Sequence, residues 1–318
     1  MKKLLFASCV VILFASIQSN TYAQRFKKKS KYSSAALIIG TSTYVGDLDP
    51  ENSLVAPAIR FTRTHLGASL IQRMTPRISV RGNLTWSRIK GSDVAVNNQT
   101  DKEDHARYVR NLSFRNDIYT LDAEVVIDLF ENRRGLERRV HYTPYGFFGI
   151  GGFYHNPKAQ LGGEWVKLHP LGTEGQYMAG VGESAPYKKF QFEVPFGVGF
   201  RYKIGMVWDI AIDFTWHKTF TDYLDDVGGK YIDKANFEYN SQAYLLSDRS
   251  TELDIQEGNV NGVGKYTTSD GHVYVTGYGD SSGANRGDSK NRIDWYITPA
   301  IHLAYIFHPK VVCPKFRG

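Results

Sequence analysis

Apolar and polar positions exchange at every step through much of the chain, in segments about ten residues long. The clearest is 206–217, where Trp208, Ile210, Ile212, Phe214 and Trp216 share one side and Asp209, Ala211, Asp213, Thr215 and His217 the other. A period of two puts alternate residues on opposite faces of a strand. The same alternation carries Ile78, Val80, Leu84 and Trp86, and then Tyr119, Leu121, Ala123, Val125, Ile127 and Leu129. It returns in Phe192, Val194, Phe196, Val198, Phe200 and Tyr202, and in Trp295, Ile297, Ile301, Leu303, Tyr305 and Phe307. Three weaker segments, 34–44, 62–73 and 142–154, bring the set to eight. In the last of them Gly146, Gly149, Gly151 and Gly152 blur the alternation, so its facing stays open. A helical period is almost absent.

The links between these segments alternate in length. Long ones at 47–60, 90–116, 157–190 and 222–291 follow the odd-numbered segments, and short ones at 74–76, 131–141 and 203–205 the even-numbered. Tight turns at one end and long loops at the other are the plan of an outer-membrane barrel. A soluble sandwich or a lipocalin-like barrel is the competing architecture, and it differs in which face lies inside. Aromatic residues at both ends of the apolar rows fit the girdles of a membrane protein. The expected fold is therefore all-β: an eight-stranded antiparallel transmembrane β-barrel with long extracellular loops, short periplasmic turns and the polar face inward. Trp86, Trp208, Trp216 and Trp295 should lie outside.

The start of the chain changes the compartment. Lys2 and Lys3 precede an apolar run at 4–17, and Thr21-Tyr22-Ala23 follows as a small-x-small cleavage site. That predicts a secretory signal over 1–23, with an apolar core too short to span a bilayer comfortably. Phe6-Ala7-Ser8-Cys9 only loosely matches a lipobox, and the apolar run continues beyond the cysteine. The expected organisation is signal 1–23, basic periplasmic tail 24–33, barrel 34–308 and a periplasmic C-terminal tail 309–318. With the signal removed Cys313 is the one remaining cysteine, so an internal disulfide is excluded. Charged residues at 22% and a mean hydropathy of −0.36 exclude a helical membrane protein. Thirty glycines and 14% aromatics against four methionines suit strands.

An eight-stranded barrel has an interior just wide enough to be filled by side chains. The expected interior holds Asp122, Glu124, Asp128, Glu193, Asp209 and Asp213 with Arg73, Arg81 and Arg201, and His65, His217 and His302. Charges at that density pair and plug a lumen, which excludes a general porin. HExxH, CxxC and P-loop patterns are absent and the nine histidines are scattered. The expectation is a non-enzyme with no catalytic residues, metal, cofactor, nucleic acid or small-molecule substrate. Asp222-Tyr223-Leu224-Asp225-Asp226 offers hard oxygen ligands of the kind calcium takes, but its spacing is not an EF-hand, and a loop-folding motif is preferred.

The net charge of +7 gains meaning once it is placed on the chain. An even strand number puts both tails and the short turns on the periplasmic side. Arg25, Lys27, Lys28, Lys29 and Lys31, the turn residues Arg133, Arg134, Arg138 and Arg139, and the tail residues Lys310, Lys315 and Arg317 make that side basic. Such a side either steadies the barrel against anionic headgroups or docks a periplasmic partner. Cys313, exposed to an oxidising compartment among basic residues, is a candidate attachment point.

Thr219-Phe220-Thr221-Asp222-Tyr223-Leu224-Asp225-Asp226-Val227, directly after an alternating segment, resembles a hallmark of PorG-type outer-membrane proteins, components of the type IX secretion system of Bacteroidota. Tyr44-Val45-Gly46-Asp47-Leu48, Pro195-Phe196-Gly197-Val198-Gly199, and Arg286-Gly287-Asp288-Ser289-Lys290-Asn291 followed by Asp294-Trp295-Tyr296 match as well. The resemblance covers nearly all of the expected mature chain. It implies a multi-subunit protein-transport complex, with the barrel in the cell outer membrane, surrounded by its lipid and docked to periplasmic ring subunits, both lipoprotein and soluble. No catalytic residue carries over. The alternative is a stand-alone, adhesin-like surface barrel whose long loops bind a ligand or host surface.

Overall fold

The computed structural model describes residues 31–49, 61–95, 107–132, 139–182, 185–252, 265–275, 284–287 and 293–307. The expected signal and N-terminal tail through residue 30, Arg133, Arg134, Arg138, and Lys310, Cys313, Lys315 and Arg317 lie outside the described residues. In chain order the strands are β1 (Ser33–Val45), β2 (Arg63–Arg73), β3 (Ile78–Ser92), β4 (Ser113–Asp128), β5 (Tyr142–Tyr154), β6 (Lys158–Leu161), β7 (Glu164–Lys167), β8 (Phe190–Ile204), β9 (Trp208–Thr219), β10 (Lys265–Thr267), β11 (Val273–Val275) and β12 (Trp295–Ile306).

The eight long strands, β1 to β5, β8, β9 and β12, pair antiparallel with their neighbours in that order. β12 then pairs back onto β1, with Ala36 opposite Ala304, so the sheet closes and has no free edge. This is a closed eight-stranded antiparallel barrel, as the alternation predicts.

The facing also follows the alternation. Asp209, Ala211, Asp213, Thr215 and His217 of β9 are buried, while Ile212 and Trp208 stand exposed. Leu121 on β4 is 68% exposed and Ile150 on β5 73%, whereas Asp213 is 1% exposed. A barrel with buried charges inside and a belt of bare Leu, Ile, Phe and Val outside is stable only where lipid covers the belt. The structure is thus that of a transmembrane barrel. Ile297 is an exception on the outer side: it is fully buried, opposite Trp216 and Thr43.

β5 loses its ambiguity. Tyr145, Phe147 and Phe153 are buried and Phe148 and Ile150 exposed, so Gly149 and Gly151 face inward. A Cβ at Gly151 would stand 2.7 Å from the Cβ of Asp122, and one at Gly149 2.7 Å from Cγ of Glu124. These glycines make room for the acids of β4. On β8, a Cβ at Gly197 would stand 2.6 Å from the Phe147 ring, so that glycine admits the large inward aromatic.

The long links differ from expectation. β3 continues to Ser92 and β4 begins at Ser113, and the two pair through Lys90↔Arg115 to Ser92↔Ser113, which shortens the expected 90–116 link at both ends. There the outward side turns from apolar to charged, which hides the strand from a hydropathy pattern, while Ile89 and Phe114 keep the inward side apolar. The link after β5 contains the β6–β7 hairpin, and the one after β9 contains β10, β11 and a short helix, Gln242–Ser247, capped by the Ser241 side chain accepting from Tyr244 N–H.

Candidate functional site

The lumen is filled by ion pairs. At the short-turn end Arg73 pairs with Asp128 at 2.7 Å and donates to the Pro76 carbonyl at 2.5 Å, while Arg201 reaches the same Asp128 at 3.3 Å. Midway, Arg81 donates from Nε to Glu124 and from Nη1 to Asp213, both at 2.6 Å, with its guanidinium 4.5 Å from the Phe147 ring centre. Glu124 lies directly opposite Arg81 in the β3–β4 register. Asp213 also accepts from the Tyr145 hydroxyl and lies 3.3 Å from Nε2 of His302. Nearer the long-loop end, His217 stacks on Tyr296 with ring centres 4.1 Å apart and meets Glu193 at 3.0 Å. The Tyr296 hydroxyl donates to the other Glu193 oxygen at 2.6 Å. The acids, arginines and histidines expected inside all have buried places there except Arg201, which is partly covered. Charges taken out of water must be paired in this way or they cost several kcal/mol each.

Arg139 does not belong with an outward basic surface. It is buried, and its guanidinium donates to both Asp209 oxygens, at 2.6 and 2.5 Å, and to the Met206 carbonyl at 3.0 Å. Charge in a turn carries no signal of facing, and its acidic partner lies 70 residues away.

Above the lumen the long loops form a cap, and Asp222 to Asp226 lie at its centre. Leu224 is fully buried in one cluster with Tyr44, Leu48, Ile89, Phe114, Phe153, Val227 and Tyr296. Its N–H donates to Asp294 at 2.8 Å and its carbonyl accepts from the Asn116 amide at 2.7 Å. Tyr223 stacks on Tyr187 with ring centres 4.9 Å apart. Asp226 takes a left-handed φ of 71°, which Asp tolerates better than most residues, and accepts from Thr173 at 2.6 Å and Tyr187 at 2.7 Å. Arg286 clamps the same turn: it donates to the Asp226 carbonyl at 2.7 Å and the Ser247 carbonyl at 3.1 Å and pairs with Glu174 at 3.3 Å. Arg110 ties in the remaining loops through both Asp93 oxygens at 2.7 Å, the Arg286 carbonyl at 2.9 Å and the Asp47 carbonyl at 3.0 Å. The acidic run is therefore engaged in folding the loop.

The Tyr44 hydroxyl lies 2.7 Å from Asp225 and 2.6 Å from Asp294. One hydroxyl has one hydrogen, so only one of these bonds can be donated by Tyr44, and the other requires a proton on a carboxyl. Burial raises both acids well above the ordinary aspartate value, and the neighbouring acids, Asp47 and Asp222 among them, raise them further. Burial likewise raises Asp226, and the Arg286 charge opposes it. Burial thus favours the neutral form of these acids at the junction of β1, β12 and the loop after β9.

Tyr44, Leu48, Leu224, Asp225, Arg286 and Asp294, drawn from three of the matching motifs, meet in this cap. Arg110, Asp93, Thr173, Glu174 and Tyr187 escape sequence reasoning. They carry no local pattern, and their partners lie up to 176 residues away.

Several solved structures are similar over most of the chain. The attachment invasion locus protein Ail of Yersinia pestis, in complex with the heparin analogue sucrose octasulfate, aligns at 8% identity and a TM-score of 0.36, covering 87% of this chain and 99% of that one. Neisserial surface protein A aligns at 9% and 0.34, covering 87% and 97%. A major outer membrane protein of Thermus thermophilus aligns at 10% and 0.35, covering 87% and 99%. The barrel assignment rests on the strand register and not on these likenesses. No curated protein matches the chain. Residues 10–244 match a family model described as a domain of unknown function, DUF6089, and the chain belongs to that family.

Proposed function

We propose that the protein is a non-enzymatic outer-membrane component of a type IX secretion apparatus, which docks periplasmic ring subunits at its short-turn end. The observation that carries this reading is the convergence of the motif segments. Tyr44, Leu224, Asp225, Arg286 and Asp294 build one hydrogen-bonded cap over a filled lumen. A barrel filled in this way suits a fixed body that acts through its ends. In the sequence the link between β4 and β5 contains Arg133, Arg134 and Arg138, and the segment after β12 contains Lys310, Cys313, Lys315 and Arg317. Positive charge there suits an acidic partner surface, and a disulfide from Cys313 would make the contact insensitive to salt.

The test is crosslinking in the cells that make the protein, followed by purification of the barrel. Ring subunits should accompany the natural chain. They should be lost when Arg133, Arg134 and Arg138 are changed to Glu and residues 309–318 are removed, with barrel mobility on gels unchanged. Absence of ring subunits from the natural preparation, or their full retention by the altered chain, refutes the reading. A second reading, a surface barrel that binds through its cap, is favoured by Tyr239, exposed and stacked on His272 with ring centres 4.5 Å apart. Cap variants that abolish surface binding and leave ring association intact would select it.

A further inference from the structure

Two rows of side chains cross the outer wall at the long-loop end. The lower row is aromatic: Trp86 lies opposite Tyr119, Tyr119 opposite Tyr154, and Tyr154 opposite Phe190. Four residues after Trp86, four before Tyr119 and four after Tyr154 is a cation. Lys90 lies opposite Arg115, Arg115 opposite Lys158, and Lys158 opposite Lys167. The register thus sets four positive side chains side by side across β3, β4, β6 and β7. Strand parity keeps Lys90 and Arg115 on the side of Leu84 and Leu121, the lipid-facing side, while Ala159 and Val166 turn the other side of the hairpin toward buried Leu168 and Leu246.

Like charges directly opposite each other destabilise a sheet. Among the described residues none of the four cations is in an ion pair, and the nearby acid on the same side, Asp117, is engaged by Arg88 at 2.7 Å. Arg115 lies 3.9 Å over the Trp165 ring, and its buried Nε has no hydrogen-bond partner among the described residues. Such a row is complementary to an anion from outside the chain. Its height bears on which one. Four residues at about 3.3 Å each, on strands tilted about 40°, place the cations roughly 10 Å above the aromatic row. That level lies just beyond the hydrocarbon, and long basic side chains reach into the headgroup layer from it.

We infer that Lys90, Arg115, Lys158 and Lys167 form a binding site on the outer wall for the phosphates of a phosphorylated glycolipid in the surrounding leaflet. Row and lipid meet edge-on, and a headgroup with two phosphates neutralises what a single small anion cannot. The inference rests on the outer-membrane part of the proposed function and is independent of the secretion role.

The test uses the full mature chain folded into phosphatidylcholine vesicles that contain either diphosphoryl lipid A or the same lipid with its phosphates removed. Lipid retained by the protein after detergent extraction is then measured. The natural chain should retain the phosphorylated form only. The variant Lys90→Gln/Lys158→Gln/Lys167→Gln should bind it on the order of 100-fold more weakly, at about 1 kcal/mol per cation near a charged surface. Lys-to-Arg changes at the same three sites should keep binding, and Lys158→Gln/Lys167→Gln, confined to the hairpin outside the barrel, serves if the triple variant does not fold. Equal retention of both lipids, undiminished binding by the Gln variants, or full displacement of the lipid by inorganic phosphate would overturn the inference. A natural chain that fails to insert into either vesicle would instead refute the membrane reading beneath it.

Discussion

Arg81 holds two buried acids apart from each other and from water, so its removal measures what the filled lumen contributes. Its guanidinium is 4% exposed and bonds Glu124 and Asp213 at 2.6 Å each. In Arg81→Met the side chain keeps much of its volume against Phe147 but loses its charge. Asp213 retains the Tyr145 hydroxyl and His302, whereas Glu124 has no second hydrogen bond among the described residues. Leaving one buried charge uncompensated costs about 3–5 kcal/mol, and that is the expected loss. Urea unfolding of the barrel in lipid vesicles, followed by tryptophan fluorescence and by gel mobility, reads it directly. Replacing the acids together, in Arg81→Met/Glu124→Gln/Asp213→Asn, should recover most of the loss, because neutral amides need no counter-charge. A loss below about 1 kcal/mol in the single variant, or no recovery in the triple, would show that the lumen charges are not buried and paired as described.

Three further outcomes follow from the same geometry. Purified protein in planar bilayers should give no steady porin-like conductance, since Arg73, Arg81, Arg139 and their acids occupy the bore, and sustained open channels would contradict that. Ile212→Arg places a charge on the exposed belt and should cost about 2–4 kcal/mol in vesicle unfolding near the midplane, while a neutral result would mean that lipid does not cover β9. Asp225 and Asp294 are raised above the ordinary value of 3.8, so their contribution to cap stability is complete below that pH and is lost as pH climbs through the raised folded values. Hydrogen-exchange protection at Leu224 and Val227, corrected for intrinsic rates, should therefore fall as pH rises, and Asp225→Asn should flatten the dependence. A cap that loosens on acidification would reverse the assignment.

The barrel is readable because its two faces differ so sharply in chemistry. Along β9, Ile210, Ile212 and Phe214 against Asp209 and Asp213 leave one arrangement in lipid. Hydropathy stops being informative where the outward side leaves the membrane, so the upper end of the β3–β4 ladder, with Lys90 and Arg115 outward, reads as loop although its backbone pairing continues. Glycine removes the facing signal altogether, and β5 needs the buried positions of Tyr145 and Phe147 to settle it. The cap is legible only through its motifs. Tyr44 meets Asp225 and Asp294 across 181 and 250 residues, and no local pattern encodes such a contact. Arg139 reads as one more member of a basic turn until its partner, Asp209, is in view.

The decisive measurement is a nitroxide scan along β9 in lipid vesicles, with single cysteines at Asp209, Ile210, Ala211, Ile212, Asp213 and Phe214 and collision rates taken with oxygen in the lipid and a nickel chelate in the water. Positions 210, 212 and 214 should be open to oxygen and closed to nickel, while 209, 211 and 213 should be closed to both, giving a period of two with a packed interior. High oxygen access at 209, 211 and 213, or high nickel access at 210, 212 and 214, would contradict a membrane barrel that faces lipid with its apolar side.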